Sequence, residues 1–549
     1  MEILQIKDLS FKYPEAEKKA LDCVNLSVRK GDFVLLCGES GCGKTTLLRL
    51  LKKEIAPFGE KTGEIIYNSV FEESDKNETS HTGFVGQNPD EQIVTDKVWH
   101  ELSFGLENMG VEKSRIRSRV GEMASFFGIH NWYHSNTDEL SGGQKQLLNL
   151  ASVMVMNPDI LLLDEPTSQL DPIAASDFIA TLHKLNRETG LTVILVEHRL
   201  EEVFPVADKV ITMHDGRILF FDEPKKVCKL MKGGPLEAGL PSAVRIFNAL
   251  CEEGECPLTV RDGRNFIENY ADKASACSIG KHTLKGEKAI EVKNLWFRYE
   301  KNLPDVITDL DFGVTEGEIV SILGGNGSGK TTMLNLLAGL DKPYKGKIKL
   351  FGKNINNYKG ASLYRRNIAL LAQNPKLVFQ KDRVDDDFSA ALKTMEIPVS
   401  EHKDLIEKTV RRFGVEQLLH RHPYDLSGGE QQKCALCKLL LTEPKILLLD
   451  EPTKGFDAQS KQTLAKMLTE LKADGKTIVI VTHDVEFAAQ ISDRCALFFD
   501  GKIISDGTPN SFFSGNTFYT TAASRISRGV FKDTVLCEEV IRCCKGENV

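Results

Sequence analysis

Two glycine-rich strings, each closing on a lysine and a threonine, hold the chemistry of this 549-residue chain. Gly38-Glu-Ser-Gly-Cys-Gly-Lys44-Thr45 returns as Gly324-Gly-Asn-Gly-Ser-Gly-Lys330-Thr331, with the lysines 330 − 44 = 286 residues apart. In such a loop the glycines (Gly38, Gly41, Gly43 and Gly324, Gly327, Gly329) let successive backbone N–H groups curl around a phosphate. The lysine adds a mobile cation, and the Thr45 or Thr331 hydroxyl can face Mg²⁺. The acidic pairs Asp164-Glu165 and Asp450-Glu451 repeat at the same offset, 450 − 164 = 286. An aspartate ending an apolar strand can hold Mg²⁺ through its water shell, and the glutamate after it can orient and polarise an attacking water. The competing reading, caps for a following helix, does not call for two consecutive acids after four aliphatics.

His198 and His483 follow the next apolar run in each copy, where an imidazole can donate to a γ-phosphate. Gln87 and Gln373 open Gln-Asn-Pro triplets, again 373 − 87 = 286 apart. Each could meet Mg²⁺ or water, although Asn-Pro by itself is turn chemistry and the repeat is what favours a functional role.

The elements that must position these groups are legible on either side of them. Phe33-Val-Leu-Leu36 and Ile319-Val-Ser-Ile-Leu323 read as strands leading into the glycine loops, each followed by a leucine-rich helix. Ile160-Leu-Leu-Leu163, Ile446-Leu-Leu-Leu449, Thr192-Val-Ile-Leu-Val196 and Thr477-Ile-Val-Ile-Val481 are short apolar runs of the kind buried in parallel sheets. The expected fold is α/β, with a mainly parallel core sheet in each of two domains. These are placed at 1–224 and 289–514, with a connector at 225–288, loosest across 271–288, and a tail at 515–549. The length suits two domains better than one growing core.

The formal net charge of −8 argues against a nucleic-acid surface. No stretch approaches the roughly 20 apolar residues of a membrane span, and the polar start is unlike a signal peptide. The thirteen cysteines are scattered, Cys42 lies inside a phosphate loop, and a reducing compartment is expected. Cys434-Ala-Leu-Cys437 falls in a helical apolar pattern without a second pair to complete a zinc site.

With Leu140-Ser-Gly-Gly-Gln144 and Leu426-Ser-Gly-Gly-Glu430 added, the chain resembles two ATP-binding-cassette (ABC) ATPase domains fused head to tail. The resemblance implies P-loop NTPase domains, each with an antiparallel β subdomain and an α-helical signature subdomain. ATP and Mg²⁺ are the implied cofactors. Tyr13 and Tyr299 are implied to stack on adenine, and Thr46 and Thr332 to join the nucleotide contacts. Thr45, Gln87 and Asp164, with Thr331, Gln373 and Asp450, are the implied metal set. Ser141 and Gly143, or Ser427 and Gly429, are implied to close over ATP held by the opposite domain, so the two domains pair. The segments Ser168-Gln-Leu-Asp171 and Lys454-Gly-Phe-Asp457 are implied to communicate across that interface.

A narrower resemblance is to the ATPases of energy-coupling factor importers, which drive uptake of vitamins or transition metals. It rests on Val85-Gly-Gln-Asn-Pro-Asp-Glu-Gln92-Ile-Val94, Glu101-Leu-Ser-Phe-Gly-Leu-Glu107, Asp450-Glu-Pro-Thr-Lys-Gly-Phe-Asp457 and residues 515–525. It implies transmembrane and substrate-binding membrane partners, no nucleic acid, and a peripheral place on the cytoplasmic face of the membrane. Residues 92–107 and 378–392 are expected to form the groove for a partner helix, with Asp96 and Glu101 as exposed positions. Two alternatives stand beside it: a soluble twin-cassette ATPase acting on ribosomes, and a fused sugar-importer ATPase. The connector lacks the basic arm or cysteine-rich cluster of the first, and both halves keep the lysine, aspartate, glutamate and histidine that the second would erode.

Overall fold

The computed structural model describes every residue except 15, 69–80, 252, 277–285, 359, 518 and 548–549. Part of the stretch expected to be loosest, 277–285, lies outside the described residues. The chain divides into two compact units. One holds Met1–Val244 with Glu253–Thr259, the other Arg245–Glu252 with Val260–Val549.

In the first unit, five parallel strands and one antiparallel edge strand form the central sheet. Their order is Thr82–Val85, Ile160–Asp164, Thr192–Val196, Phe33–Gly38, Lys209–His214 and Arg217–Asp222. The three middle strands are buried along their whole length. Continuous apolar runs therefore pair in parallel, because helices or a second sheet cover both faces. The second unit repeats the order with Ile368–Leu371, Ile446–Asp450, Thr477–Val481, Ile319–Leu323, Arg494–Phe499 and Lys502–Gly507. An antiparallel sheet accompanies each, built on Glu2–Lys12 in the first unit and Lys288–Phe297 in the second. Its apolar face joins the helix after the phosphate loop in one core, with Leu4, Phe11, Val28, Leu47, Leu48 and Leu162 buried together in the first unit. On the other side of the second unit's central sheet lies a helical core containing Phe388, Phe413, Leu436 and Phe456.

Cys434 and Cys437 are buried in the helix Gly428–Leu440 of that core, and burial pushes their thiols up, Cys434 to about 12. They are packing residues, and no cluster of three or more metal-ligating side chains exists among the described residues. Cys543 is disulfide-bonded, whereas eleven other cysteines are free. Within the second unit the helix Val260–Ile267 packs on Ala522–Ser527, where Arg264 Nη2 donates to Arg525 O at 2.7 Å. Arg245 also pairs with Glu538 at 2.7 Å. No helix among the described residues is long and apolar enough to cross a membrane.

Each phosphate loop enters its helix through a left-handed glycine, Gly43 at φ 100° and Gly329 at φ 103°. A Cβ at Gly43 would also meet Ala20 O at 2.4 Å. Gly43→Ala is expected to cost about 1–3 kcal/mol, read as a lower melting temperature of the nucleotide-free protein.

Candidate active site

The helices Lys44–Leu50 and Lys330–Ala338 begin directly at the loop lysines, which are buried against the loops. Lys44 Nζ donates to Gly38 O (2.9 Å) and Glu39 O (2.8 Å), and Lys330 Nζ to Gly324 O (3.0 Å) and Gly325 O (2.7 Å). These carbonyls hold the ammonium at the mouth of the loop, where phosphate oxygens can compete for it. A Cβ at Gly38 would sit 2.4 Å from Met213 O, and at Gly324 2.4 Å from Phe498 O, so each loop turns where only glycine fits. One residue past the loop threonines, Thr46 Oγ1 lies 3.0 Å from Tyr13 OH and Thr332 Oγ1 2.9 Å from Tyr299 OH. Both tyrosines remain partly exposed beside the loops.

Thr45 Oγ1 donates to Asp164 Oδ1 at 3.1 Å and Thr331 Oγ1 to Asp450 Oδ2 at 2.8 Å. Burial pushes both aspartates from the ordinary 3.8 to about 6, with Glu165 and Glu451 adding to the rise and the threonine hydroxyls opposing it. Raised acids hold protons in the folded chain that the unfolded chain has lost, so both cost stability as pH climbs through that window. Asp450 Oδ1 is buried without a hydrogen-bond partner among the described residues. A hydroxyl beside a buried carboxylate with an unused oxygen fits a hard divalent cation at Thr331 and Asp450, and Thr45 with Asp164 repeats the same hydroxyl and carboxylate donors, so each pair could hold Mg²⁺.

The glutamates Glu165 and Glu451 stand at φ 47° and φ 49°, left-handed values that cost a non-glycine residue energy and tend to gather at functional sites. Their backbone N–H groups donate to Val196 O (3.0 Å) and Val481 O (2.8 Å) on the neighbouring strand, which fixes the turn. His198 Nε2 lies 2.9 Å from Glu165 Oε1, and His483 Nδ1 2.8 Å from Glu451 Oε2. Burial raises the Glu451 carboxyl, but the facing His483 outweighs it and holds the group below the usual carboxylate range. Gln87 Nε2 donates to Glu165 Oε2 at 3.0 Å. Gln373 is exposed, and its side chain has no hydrogen-bond partner among the described residues.

Ser141 and Ser427 cap the helices Gly142–Met154 and Gly428–Leu440, each in a reciprocal capping box with the residue three positions on, Gln144 or Glu430. Both serines are exposed, with Gly143 and Gly429 in the first helical turn. Such N-termini present N–H groups and a positive dipole end to an anion. Asp171 and Asp457 cap the helices Pro172–Thr189 and Ala458–Ala473.

The loop around Gln87 is tied to the signature helix and to the segment that follows Glu165. Gln146 Nε2 of the signature helix donates to Gly86 O (3.2 Å), Asn149 Nδ2 to Pro89 O (3.2 Å), and Gln169 Nε2 to Asn88 Oδ1 (3.2 Å). Lys145 pairs with Asp90 at 2.6 Å. None of these ties is legible in the sequence, since their partners lie 55 to 81 residues apart. Gln92 holds the turn from within, accepting from Gly86 N (3.0 Å) and donating to Phe84 O (2.9 Å).

One expectation is overturned here. Glu101 is 6% exposed, and its Oε2 accepts from Val94 N (3.1 Å) and Thr95 N (2.8 Å). It shapes the loop instead of facing a partner, because those N–H groups would otherwise be left without acceptors. Asp387 does the same in the second half, fully buried and accepting from Gln380 N and Lys438 Nζ. Asp96 is exposed, as are Val94 (68%) and Trp99 (41%).

The family model described as ABC transporter matches residues 21–168 and 307–454. A Bacillus anthracis protein named as an ABC transporter ATP-binding protein is 41% identical over 549 residues, covering 99% of this chain and 98% of the relative. A Bacillus subtilis protein named as the HMP/thiamine import ATP-binding protein YkoD is 31% identical over 525 residues, covering 94% and 93%. Among solved structures, cbiO1 from Clostridium perfringens, part of the ABC transporter complex cbiONQ, is 29% identical. It covers 42% of this chain and 91% of its own, with a TM-score of 0.39. Two matched halves and close likeness along nearly the whole length establish that the chain belongs to the ABC transporter ATP-binding proteins, ATP-hydrolysing partners of transmembrane subunits.

Proposed function

We propose that the protein is the ATPase of an energy-coupling factor type importer for a vitamin or a transition metal, working at the cytoplasmic face of the membrane with transmembrane and substrate-binding components. The observation that carries the reading is the path from Glu165 through Gln87 to the loop bearing exposed Val94, since hydrolysis must be felt where a partner docks. The importer class is supported by the likeness to a relative named for HMP/thiamine import.

In this reading Lys44 and Lys330 bind the phosphates of ATP, with Tyr13 and Tyr299 beside the base. Thr45, Asp164 and Gln87, with Thr331, Asp450 and Gln373, would hold Mg²⁺, which when bound would neutralise phosphate charge. Glu165 and Glu451 orient the attacking water, and His198 and His483 hold those carboxylates and can donate to the γ-phosphate. Ser141, Gly143, Ser427 and Gly429 complete the opposite sites. Two bound nucleotides are enough in principle, because moving a two-state assembly from 1:99 to 99:1 takes about 5.5 kcal/mol.

The test uses Val94→Asp with Asp96→Lys, both exposed and both outside the ATP-binding residues. Expected are loss of copurification with the membrane components and loss of uptake, with ATPase turnover of the purified chain within about twofold of wild type. Copurification and uptake at the wild-type level would remove this loop from the docking surface.

A further inference from the structure

The two halves differ at one buried position beside the catalytic glutamates. The strand Thr192–Val196 is followed by Glu197, whereas its counterpart Thr477–Val481 is followed by Thr482. Glu197 is 2% exposed. It accepts from Thr167 N (3.0 Å) and Thr167 Oγ1 (2.7 Å) on Oε1, and from His198 N (3.3 Å) on Oε2. All three partners donate, which suits an acceptor-only carboxylate, while burial pushes the Glu197 carboxyl above its ordinary value and the two Thr167 bonds oppose that rise. One side chain therefore ties the turn after Glu165 to the strand end that carries His198. Two residues on, Arg199 Nη1 adds a second tie by donating to Leu170 O at 3.2 Å.

The second half is wired otherwise. The His483 backbone N–H donates to Glu451 Oε2 at 3.3 Å, the same oxygen that faces the His483 ring. Thr482 Oγ1 accepts instead from Asp484 N at 3.0 Å. In the first half Glu197 has taken the histidine N–H, and the two Glu165 oxygens are divided between the His198 ring and the Gln87 amide.

We propose that Glu197 is a positioning residue of the first half: by holding His198 N and Thr167, it keeps Glu165 shared between His198 and Gln87 and makes the two halves unequal in turnover. The first half is the faster, because its glutamate stays linked to the glutamine loop. In the second, His483 engages Glu451 through both ring and backbone. This rests on the reading of Glu165 as the residue that orients the attacking water.

The experiment is steady-state ATPase kinetics on the purified full chain, with melting temperatures, for Glu197→Thr, Glu197→Gln and Glu165→Gln. Glu197→Thr copies the second half and should lower kcat about tenfold while KM for ATP stays within about twofold. Glu197→Gln should fall between that variant and wild type, since its amide oxygen still accepts from Thr167 while its NH₂ cannot accept from His198. Wild-type kcat in Glu197→Thr, or a kcat loss matched by an equal rise in KM, overturns the proposal. So does equal impairment of the Thr and Gln variants alongside equal loss of melting temperature. If Glu197→Thr does not fold, Glu197→Gln decides alone, with reduced kcat at unchanged KM in favour and wild-type kcat against. Glu165→Gln separates the two levels. Its retention of turnover would sink the Glu165 reading itself, whereas an inactive Glu165→Gln beside a fully active Glu197→Thr would sink only the role given to Glu197.

Discussion

Glu165→Gln combined with Glu451→Gln is expected to cut ATP turnover by about 100-fold or more while leaving ATP binding intact. The carboxylates act on the attacking water, and the ground-state phosphates are held by the loops and by Lys44 and Lys330. Each substitution preserves shape and removes a charge from a residue already fixed by strain at φ 47° and φ 49° and by a backbone bond to the adjacent strand. The loss should therefore appear in kcat and not in nucleotide affinity, and the double variant should accumulate a closed, ATP-loaded form. Fluorescent-nucleotide titration beside phosphate-release kinetics reads both quantities. Near-wild-type turnover in the double variant would take these glutamates out of the catalytic role.

Lys44→Ala with Ser427→Arg should show strong non-additivity, a coupling of about 1–3 kcal/mol, because both changes damage the same composite site. Lys44→Ala with Ser141→Arg should instead impair both sites, with effects that nearly add. The expectation rests on the exposed signature serines capping 13-residue helices, whose remaining N-terminal N–H groups and positive dipole end can receive an anion. Full double-mutant cycles in ATPase rate provide the measurement. Equal coupling in the two pairings would mean that the halves do not close head to tail.

Much of this protein is decided locally, and that part is legible in the sequence. A phosphate loop needs only a strand, a run of glycines, a lysine and a helix in immediate succession, so Lys44 and Lys330 could be placed without any tertiary information. Asp164 and Asp450 were equally accessible. Four consecutive aliphatics repeated in both copies fit a strand buried on both faces, and an acid directly after them falls at its end. The repeat at a constant offset turned weak signals such as Gln-Asn-Pro into candidates.

What the sequence could not supply is anything decided by partners brought from distant segments. Glu101 reads as a surface acid, because glutamate is rarely buried unless satisfied, and only the fold brings the Val94 and Thr95 N–H groups to it. Gln87 and Gln373 look alike as strings, yet one reaches its glutamate 78 residues away and the other has no partner among the described residues. Glu197 and Thr482 differ by a single letter, and the difference gains meaning only when Thr167 and the His198 backbone are seen on the carboxylate. Two chemically equipped halves are written into the repeat. Their unequal wiring emerges on folding, because burial and hydrogen-bond supply are properties of the assembled strands and turns and not of any one motif.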